Sequence, residues 1–272
     1  MHRVFPDKSY KFLMNTLSID IGNNKIKLDF WDNDGIQFQS VSDVLPIEYI
    51  KERVEGVGIK GIIVSSVRKD YREILESLKE NSGCDLIVDF NRAAIEKYSD
   101  KIKYKGKVGV DRIAAYLGAQ SQYSGPKLII DAGTAITLDV VDKAGNYCGG
   151  NISLGYRSRI NALAKATSLL PEVKKFKASS FFGNDTESAI VAGAKNGVLG
   201  EILYTIKLAR KEYGIEKVFI TGGDSDYFLW QVWNEWKQCI PDKHLVGRGL
   251  NYHLRKFYFP DVFFHTKFQQ SI

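Results

Sequence analysis

Apolar positions along this chain fall into short alternating or continuous runs separated by stretches of helical spacing. Residues 17–21, 25–31 and 36–41 carry the strand pattern, and Asp32-Asn33-Asp34-Gly35 supplies a tight turn between the second and third. Residues 47–55 have helical spacing, and Gly61-Ile62-Ile63-Val64-Ser65-Ser66-Val67 is the continuous apolar run of a buried strand. Asp70 to Asn81 predicts a helix that opens on an acid and stops near Gly83. A short strand follows at 85–88, then a helix over 111–122 on the spacing of Ile113, Ala114 and Leu117. The order then begins again. Strands at 127–131, 134–141 and 146–153 precede a helix at 156–168 that stops before Pro171. A long helix covers 186–212, where Ala189, Gly193, Ala194 and Gly197 permit close packing. Lys217 to Thr221 reads as a strand ending in Gly222-Gly223, with helices near 225–238 and 248–256.

Three strands, a helix, a strand and a helix, repeated, predict an α/β protein with the duplicated actin-like (ribonuclease H-like) ATPase fold, two similar domains around a cleft. Actin, hexokinase and Hsp70 share that arrangement. Residues 1–16 read as an N-terminal extension, 17–124 as the first domain and 125–272 as the second. The break falls where Ser121-Gln122-Tyr123-Ser124-Gly125-Pro126 interrupts the pattern.

Both halves deliver an Asp from a strand into a glycine turn, at Asp20-Ile21-Gly22 and Asp131-Ala132-Gly133. Such turns place a carboxylate and free amides at a strand end, chemistry suited to Mg²⁺ and phosphate oxygens. In the first, Asp20 is placed to hold Mg²⁺, the Gly22 and Asn23 amides to touch the transferring phosphate, and Lys27 to neutralise it. In the second, Thr134 offers a hydroxyl and an N–H to a phosphate tail, and Asp131 serves a cation or only caps its turn. Asp111, in Gly109-Val110-Asp111-Arg112, has two readings. It is a helix cap beside a solvated Arg112, or it is the base that deprotonates a hydroxyl while Arg112 pairs with a substrate carboxylate. Thr221-Gly222-Gly223 would give adenosine bare backbone to lie on, and Gly149-Gly150-Asn151-Ile152-Ser153-Leu154-Gly155 a wall on the substrate side.

Composition narrows the setting. The 272 residues are 44% hydrophobic and 26% charged, the profile of a soluble globular protein. No run of about 18 apolar residues predicts a membrane span, and residues 1–16 lack the apolar core of a signal peptide. Three scattered cysteines without a C-x-x-C fit thiols in a reducing cytoplasm. The net charge of +6 is modest, and its densest stretch is the tyrosine-interleaved run of lysines at 97–107. That run reads as a solvated loop, a nucleic-acid contact, or an attractor of anionic substrates.

In this order the motifs resemble the type III pantothenate kinases: D-x-G-N-x-x-x-K at 20–27, G-x-D-R at 109–112, D-x-G-T-A-x-T at 131–137, G-G-x-I-x-x-G at 149–155, T-x-x-A-I-x-x-G at 186–193 and T-G-G at 221–223. The resemblance implies transfer of phosphate from ATP to the primary hydroxyl of pantothenate, the first step toward coenzyme A. It also implies Mg²⁺, a monovalent cation (K⁺ or NH₄⁺) and a cytoplasmic homodimer, with no nucleic-acid or membrane partner. By the same resemblance Asp20, Ile21, Gly22, Asn23, Asn24, Lys25, Ile26, Lys27 and Thr134 bind ATP, and Asp111 accepts the proton. Gly109, Val110, Asp111 and Arg112 line the pantothenate site, Thr186 reaches pantothenate across the dimer, and Asp131 holds K⁺. Tyr104 is the candidate for a substrate-binding tyrosine and Tyr98 the alternative. The chain departs from the family at Asn24, where Thr is usual, and at Leu154, where Pro is usual. Two other readings stand beside this one: another small-molecule kinase of the superfamily, and a non-catalytic ATP-binding regulator that contacts DNA.

Overall fold

A computed structural model describes residues 14–176 and 180–261. Strands β1 (Asn15–Ile21), β2 (Ile26–Trp31) and β3 (Ile36–Ser42) form an antiparallel meander, and α1 (Ile47–Val57) leads to β4 (Ile59–Ser66). Helix α2 (Tyr71–Asn81) then leads to β5 (Ile87–Asp89), and the sheet order is β3-β2-β1-β4-β5 with β4 and β5 parallel to β1. After α3 (Arg92–Glu96) and α4 (Val110–Gln122) the scheme recurs with β6 (Lys127–Ala132), β7 (Ala135–Val141) and β8 (Tyr147–Leu154). Helices α5 (Tyr156–Ala166) and α6 (Thr186–Tyr213) precede β9 (Lys217–Thr221), and α7 (Leu229–Glu235) precedes β10 (Cys239–Pro241). The second sheet runs β10-β9-β6-β7-β8, the topology of the first. The last element is α8 (Leu245–Tyr258).

Each central strand is covered on both faces, as parallel pairing beside helices requires. Leu17, Ile19 and Ile21 point into a core under α1 and α2, while Thr16 and Ser18 on the opposite face are equally buried. That opposite face is closed by α8, which packs on β1, β2 and β4. Helix α4 does the same for the other half, packing on β6 and β7. The two helices cross where a side chain has no room. A Cβ on Gly118 would stand 2.1 Å from the Leu245 carbonyl oxygen, and one on Gly249 would stand 1.7 Å from that of Ala114.

Several elements differ from the sequence expectation. Helix α8, assigned above to the 125–272 domain, lies against the first sheet, because its apolar face (Leu250, Leu254) completes the core around α4. The single helix expected over 225–238 is a 3₁₀ turn at Ser225–Tyr227 followed by the short α7, with the edge strand β10 after it. Short Trp- and Tyr-rich stretches carry no clear period, and the five residues of α3 are too few to show one, although Asn91 caps it through two backbone N–H groups. Strand β1 starts at Asn15, inside the expected extension; residues 1–13 lie outside the described residues.

Candidate active site

The two Asp-x-Gly turns close β1 and β6, the central strands of their sheets. In the first turn the Gly22 N–H donates to the Lys25 carbonyl (3.0 Å), and in the second the Gly133 N–H donates to Ala135 (3.0 Å). Asn24 joins them, its Nδ2 donating to Thr134 Oγ1 at 3.1 Å. This amide thus spans the two halves.

Asp20 sits opposite Lys27 in the β1–β2 register, and Ser65 Oγ reaches its carboxylate at 3.4 Å. Burial raises the Asp20 pKa to about 6; Lys27 opposes the rise, and the charges of Asp111, Asp131 and Asp29 add to it. Asp131 is raised to about 6 by burial, again against Lys27 and with Asp111 and Asp139. Both carboxylates feel the same lysine and the same third acid, so Asp20, Asp131, Asp111 and Lys27 form one electrostatic cluster. Three acids against one lysine leave a surplus of negative charge, which a cation relieves. Among the described residues no three His, Cys, Asp or Glu converge as a metal site by themselves. An ion here would complete its shell from phosphate oxygens and water, as Mg²⁺ commonly does.

The second half presents bare backbone to the same place. Gly222 has φ +96°, and a Cβ there would lie 2.4 Å from the Ala132 carbonyl oxygen; the Asp224 N–H donates to that oxygen at 2.8 Å. The Gly222-Gly223 turn is therefore clamped to the strand end that carries Asp131. The start of α5 is fixed there too, through Gly155 N–H and Ser158 Oγ, both donating to the Thr134 carbonyl.

Asp111 lies in the first turn of α4, but the cap position belongs to Gly109. The cap reading is thereby corrected: Asp111 stands inside the first turn, and its Oδ1 accepts the adjacent Arg112 N–H (2.8 Å). Burial raises the Asp111 pKa, with Arg112 opposing and Asp139 adding to the rise. Arg112 is not solvated. It is 6% exposed, and its Nε and one Nη donate to Asp139, which is 1% exposed. Tyr104 is half-buried with its ring 5.7 Å from the Arg112 guanidinium carbon. Tyr98, the alternative, is committed elsewhere: it is buried, and its hydroxyl lies 2.9 Å from His253 Nδ1. Thr186 is exposed in the first turn of α6, where Asp185 and Ser188 form the capping box. Among the described residues no hydrogen bond joins Thr186 to Asp20, Asp111 or Asp131. The basic run is tied down at Ile102, which bridges to Tyr147, while Lys101, Lys103, Lys105 and Lys107 stay exposed.

Asp139 was missed by sequence reasoning. Its signal was an acid inside the apolar run Ile136-Thr137-Leu138-Asp139-Val140-Val141, where burial demands a partner.

The family model for type III pantothenate kinases matches residues 16–208. The chain belongs to the type III pantothenate kinase family. It is 34% identical to the type III pantothenate kinase of Phocaeicola vulgatus over 244 residues, covering 86% of this chain and 96% of that one. It is 35% identical to that of Fervidobacterium nodosum over 207 residues, covering 75% and 80%. Among solved structures it resembles a conserved Campylobacter jejuni protein named for the Baf family of transcriptional activators. That match has a TM-score of 0.58 at 22% identity and covers 90% of this chain and 99% of the other. Component A of the Acidaminococcus fermentans (R)-2-hydroxyglutaryl-CoA dehydratase aligns with TM-score 0.52 at 15% identity, over 92% and 99%. Matches this distant speak for the fold alone, and the fold is that of actin-like ATPases and sugar kinases, as the sequence pattern predicts.

Proposed function

We propose that this chain phosphorylates the primary hydroxyl of pantothenate with ATP. The observation that carries the reading is the meeting of two Asp-x-Gly turns, joined by the Asn24–Thr134 hydrogen bond with Asp20 opposite Lys27, in a chain of this family. The triphosphate would lie between the 20–27 and 131–134 turns, with adenosine along Gly222-Gly223. Pantothenate would enter beside the first turn of α4, with its carboxylate toward Arg112 and its chain against Tyr104.

In the reaction the substrate hydroxyl oxygen forms a bond to the γ-phosphorus while the bond to the β,γ-bridging oxygen breaks. The departing electron pair stays on ADP, and the hydroxyl proton passes to Asp111. Such transfer depends mostly on positioning and charge neutralisation, so one lysine, free amides and well-placed carboxylates suffice. A carboxylate raised by burial is a better base for this role than one of ordinary acidity. The donor set fits a divalent cation at Asp20 and a monovalent one at Asp131, since both are oxygen ligands in a region of surplus negative charge. Bound there, Mg²⁺ would neutralise phosphate oxygens, and K⁺ or NH₄⁺ would do so at the second turn.

The same reading makes the protein a homodimer, with Thr186 completing the partner's pantothenate site. Its support is an apolar surface on the second half: Ile152 and Leu154 on β8 and Tyr204 on α6 are 60%, 52% and 62% exposed. Ser153 and Arg159 both bond Glu201, which ties β8, α5 and α6 together, while Ile152 and Leu154 alternate with Ser153 and stand on the other face of the sheet. The cytoplasm is the compartment we infer. The three cysteines are free, and no helix among the described residues is long and apolar enough to cross a membrane.

The deciding experiment is ADP release with ATP, Mg²⁺ and pantothenate, in K⁺ or Na⁺, for wild type and Asp111→Asn. Pantothenate-dependent release, stimulated by K⁺ and lost in the variant, is expected. Absence of release under every cation would overturn the reading.

A further inference from the structure

Asp139 touches neither glycine turn, yet it organises the groups that face the substrate. It lies on β7 with its carboxylate buried, and it receives three donors: Arg112 Nε, one Arg112 Nη, and the Tyr147 hydroxyl at 2.7 Å. Tyr147 is fully buried, so its hydroxyl is a fixed donor that leaves the carboxylate little freedom to rotate. A guanidinium has five N–H groups in a rigid plane. Asp139 occupies the edge that carries Nε and one Nη, and Tyr104, which also hydrogen-bonds Arg112, borders what is left of the plane for a ligand. Burial alone would lower the Arg112 pKa, and the bonds and charge of Asp139 more than offset it, so the cation is secure at any working pH.

We propose that Asp139, held by Tyr147, is a positioning residue that aims the free edge of Arg112 at the substrate carboxylate. It thereby makes the enzyme select an acid over its neutral counterpart. The inference rests on the reading that Arg112 meets that carboxylate. It adds residues outside the family motifs named above and makes them responsible for substrate choice. The pair is also close to neutral in sum, so recognition depends on orientation more than on net charge. Loss of the aim should therefore cost discrimination even though Arg112 keeps its charge.

The test compares pantothenate with its neutral analogue, in which the carboxylate is replaced by CH₂OH and the reacting hydroxyl is kept. Values of kcat/KM for both acceptors, and KM for ATP, are measured in wild type, Asp139→Asn and Tyr147→Phe. Wild type should prefer the acid. In Asp139→Asn the acid-to-alcohol ratio should fall about ten-fold, the worth of one charge-assisted hydrogen bond. Tyr147→Phe should give a smaller fall in the same direction, with KM for ATP unchanged in both variants. Equal losses on both acceptors, or a ratio unchanged or raised, would overturn the inference and leave Asp139 a purely structural brace. If Asp139→Asn does not fold, Tyr147→Phe decides, since it removes one oxygen and keeps the buried ring. A wild type active on both acceptors without preference overturns the role of Arg112 and this inference together. One active on neither overturns the reaction itself.

Discussion

Asp29 and Asp139 occupy the same place in the two halves of the molecule, and they have been put to different uses. In the first sheet Asp20 stands opposite Lys27, and Asp29 lies two residues further along β2, opposite Ser18. In the second, Asp131 stands opposite Thr137, and Asp139 lies two residues further along β7, opposite Ile129. Each buried acid pairs with the start of a helix that follows the other half's last strand. Asp29 accepts from Gln39 and lies 2.9 Å from His244, the residue that opens α8; Asp139 holds Arg112 in the first turn of α4. The crossing of α4 and α8 thus carries one cross-brace in each direction. The first uses a single ring nitrogen, and the acid beside it, Asp242, accepts the His244 N–H and pairs with Arg248. The second uses a permanently charged fork, and Asp111 is its neighbour. Duplication supplied two equivalent frames: the acid at the α8 end, Asp242, is ion-paired to Arg248, whereas Asp111 at the α4 end accepts the adjacent Arg112 N–H.

The sharpest way to separate the two ends is Asp111→Asn. We expect kcat to fall by roughly 10²–10⁴, the range for losing a positioned general base. Thermal stability should not fall with it, because the variant removes a buried carboxylate whose pKa is raised above the ordinary value. A large drop in melting temperature would mean that Asp111 is chiefly structural.

Breaking the crossing itself should weaken both braces together. In Gly249→Ala the new methyl meets the Ala114 carbonyl oxygen at 1.7 Å, so α8 must move away from α4. Overpacking of this kind costs about 1–3 kcal/mol. For a chain of this size each kcal/mol lowers Tm by roughly 2–4 °C. Calorimetry would register the change, and a Tm equal to wild type would show that the two helices have slack.

This comparison also shows what the sequence could and could not reveal. Strand and helix order was legible because the buried runs at 61–67 and 127–131 and the spacing in 111–122 are strong periodic signals. The glycine turns were legible because the same Asp-x-Gly string ends a strand in both halves, where a single such turn would say little. What escaped notice was tertiary. Nothing local in 245–258 says that this helix returns to the first sheet, since its apolar face would suit either core. Arg112 reads as a free cation until β7 folds alongside it and presents Asp139. Tyr104 and its alternative Tyr98 are separated by tertiary contacts, Tyr98 being buried against His253 and Tyr104 lying beside Arg112. Asn24 reads as a departure from the family until its amide is found on Thr134.

Asp29→Asn tests whether the first brace is structural alone. Losing the charge beneath His244 and Gln39 should cost about 1–3 kcal/mol, as for other buried hydrogen bonds to a charged group. The acid-to-alcohol preference that Asp139 sets should remain, because Asp29 has no link to Arg112. Chemical denaturation reports the first quantity and the two-acceptor assay the second. A collapse of preference in Asp29→Asn would mean that the two braces act as one unit.

The smallest expected effect concerns pH, and it distinguishes the glycine turns from the braces. Asp20 and Asp131 stand at about 6 in the folded protein against an ordinary 3.8. Between those values the folded state holds more protons than the unfolded chain. Their contribution to stability is therefore complete below about pH 4 and is lost as pH rises through 6. Burial lowers His253 to about 4, and its contribution runs the other way, failing as pH falls below its ordinary 6.5. Comparing wild type with Asp20→Asn cancels the histidine. We expect the variant to gain a few degrees of Tm relative to wild type at pH 7.5 and to lose that advantage at pH 4, when no divalent cation is present. Adding Mg²⁺ at pH 7.5 should raise the wild type and leave Asp20→Asn nearly unmoved, because the ionised carboxylate is what the cation satisfies. A difference between the two proteins that is flat with pH would remove Asp20 from the strained cluster, and the cation would have to be placed elsewhere.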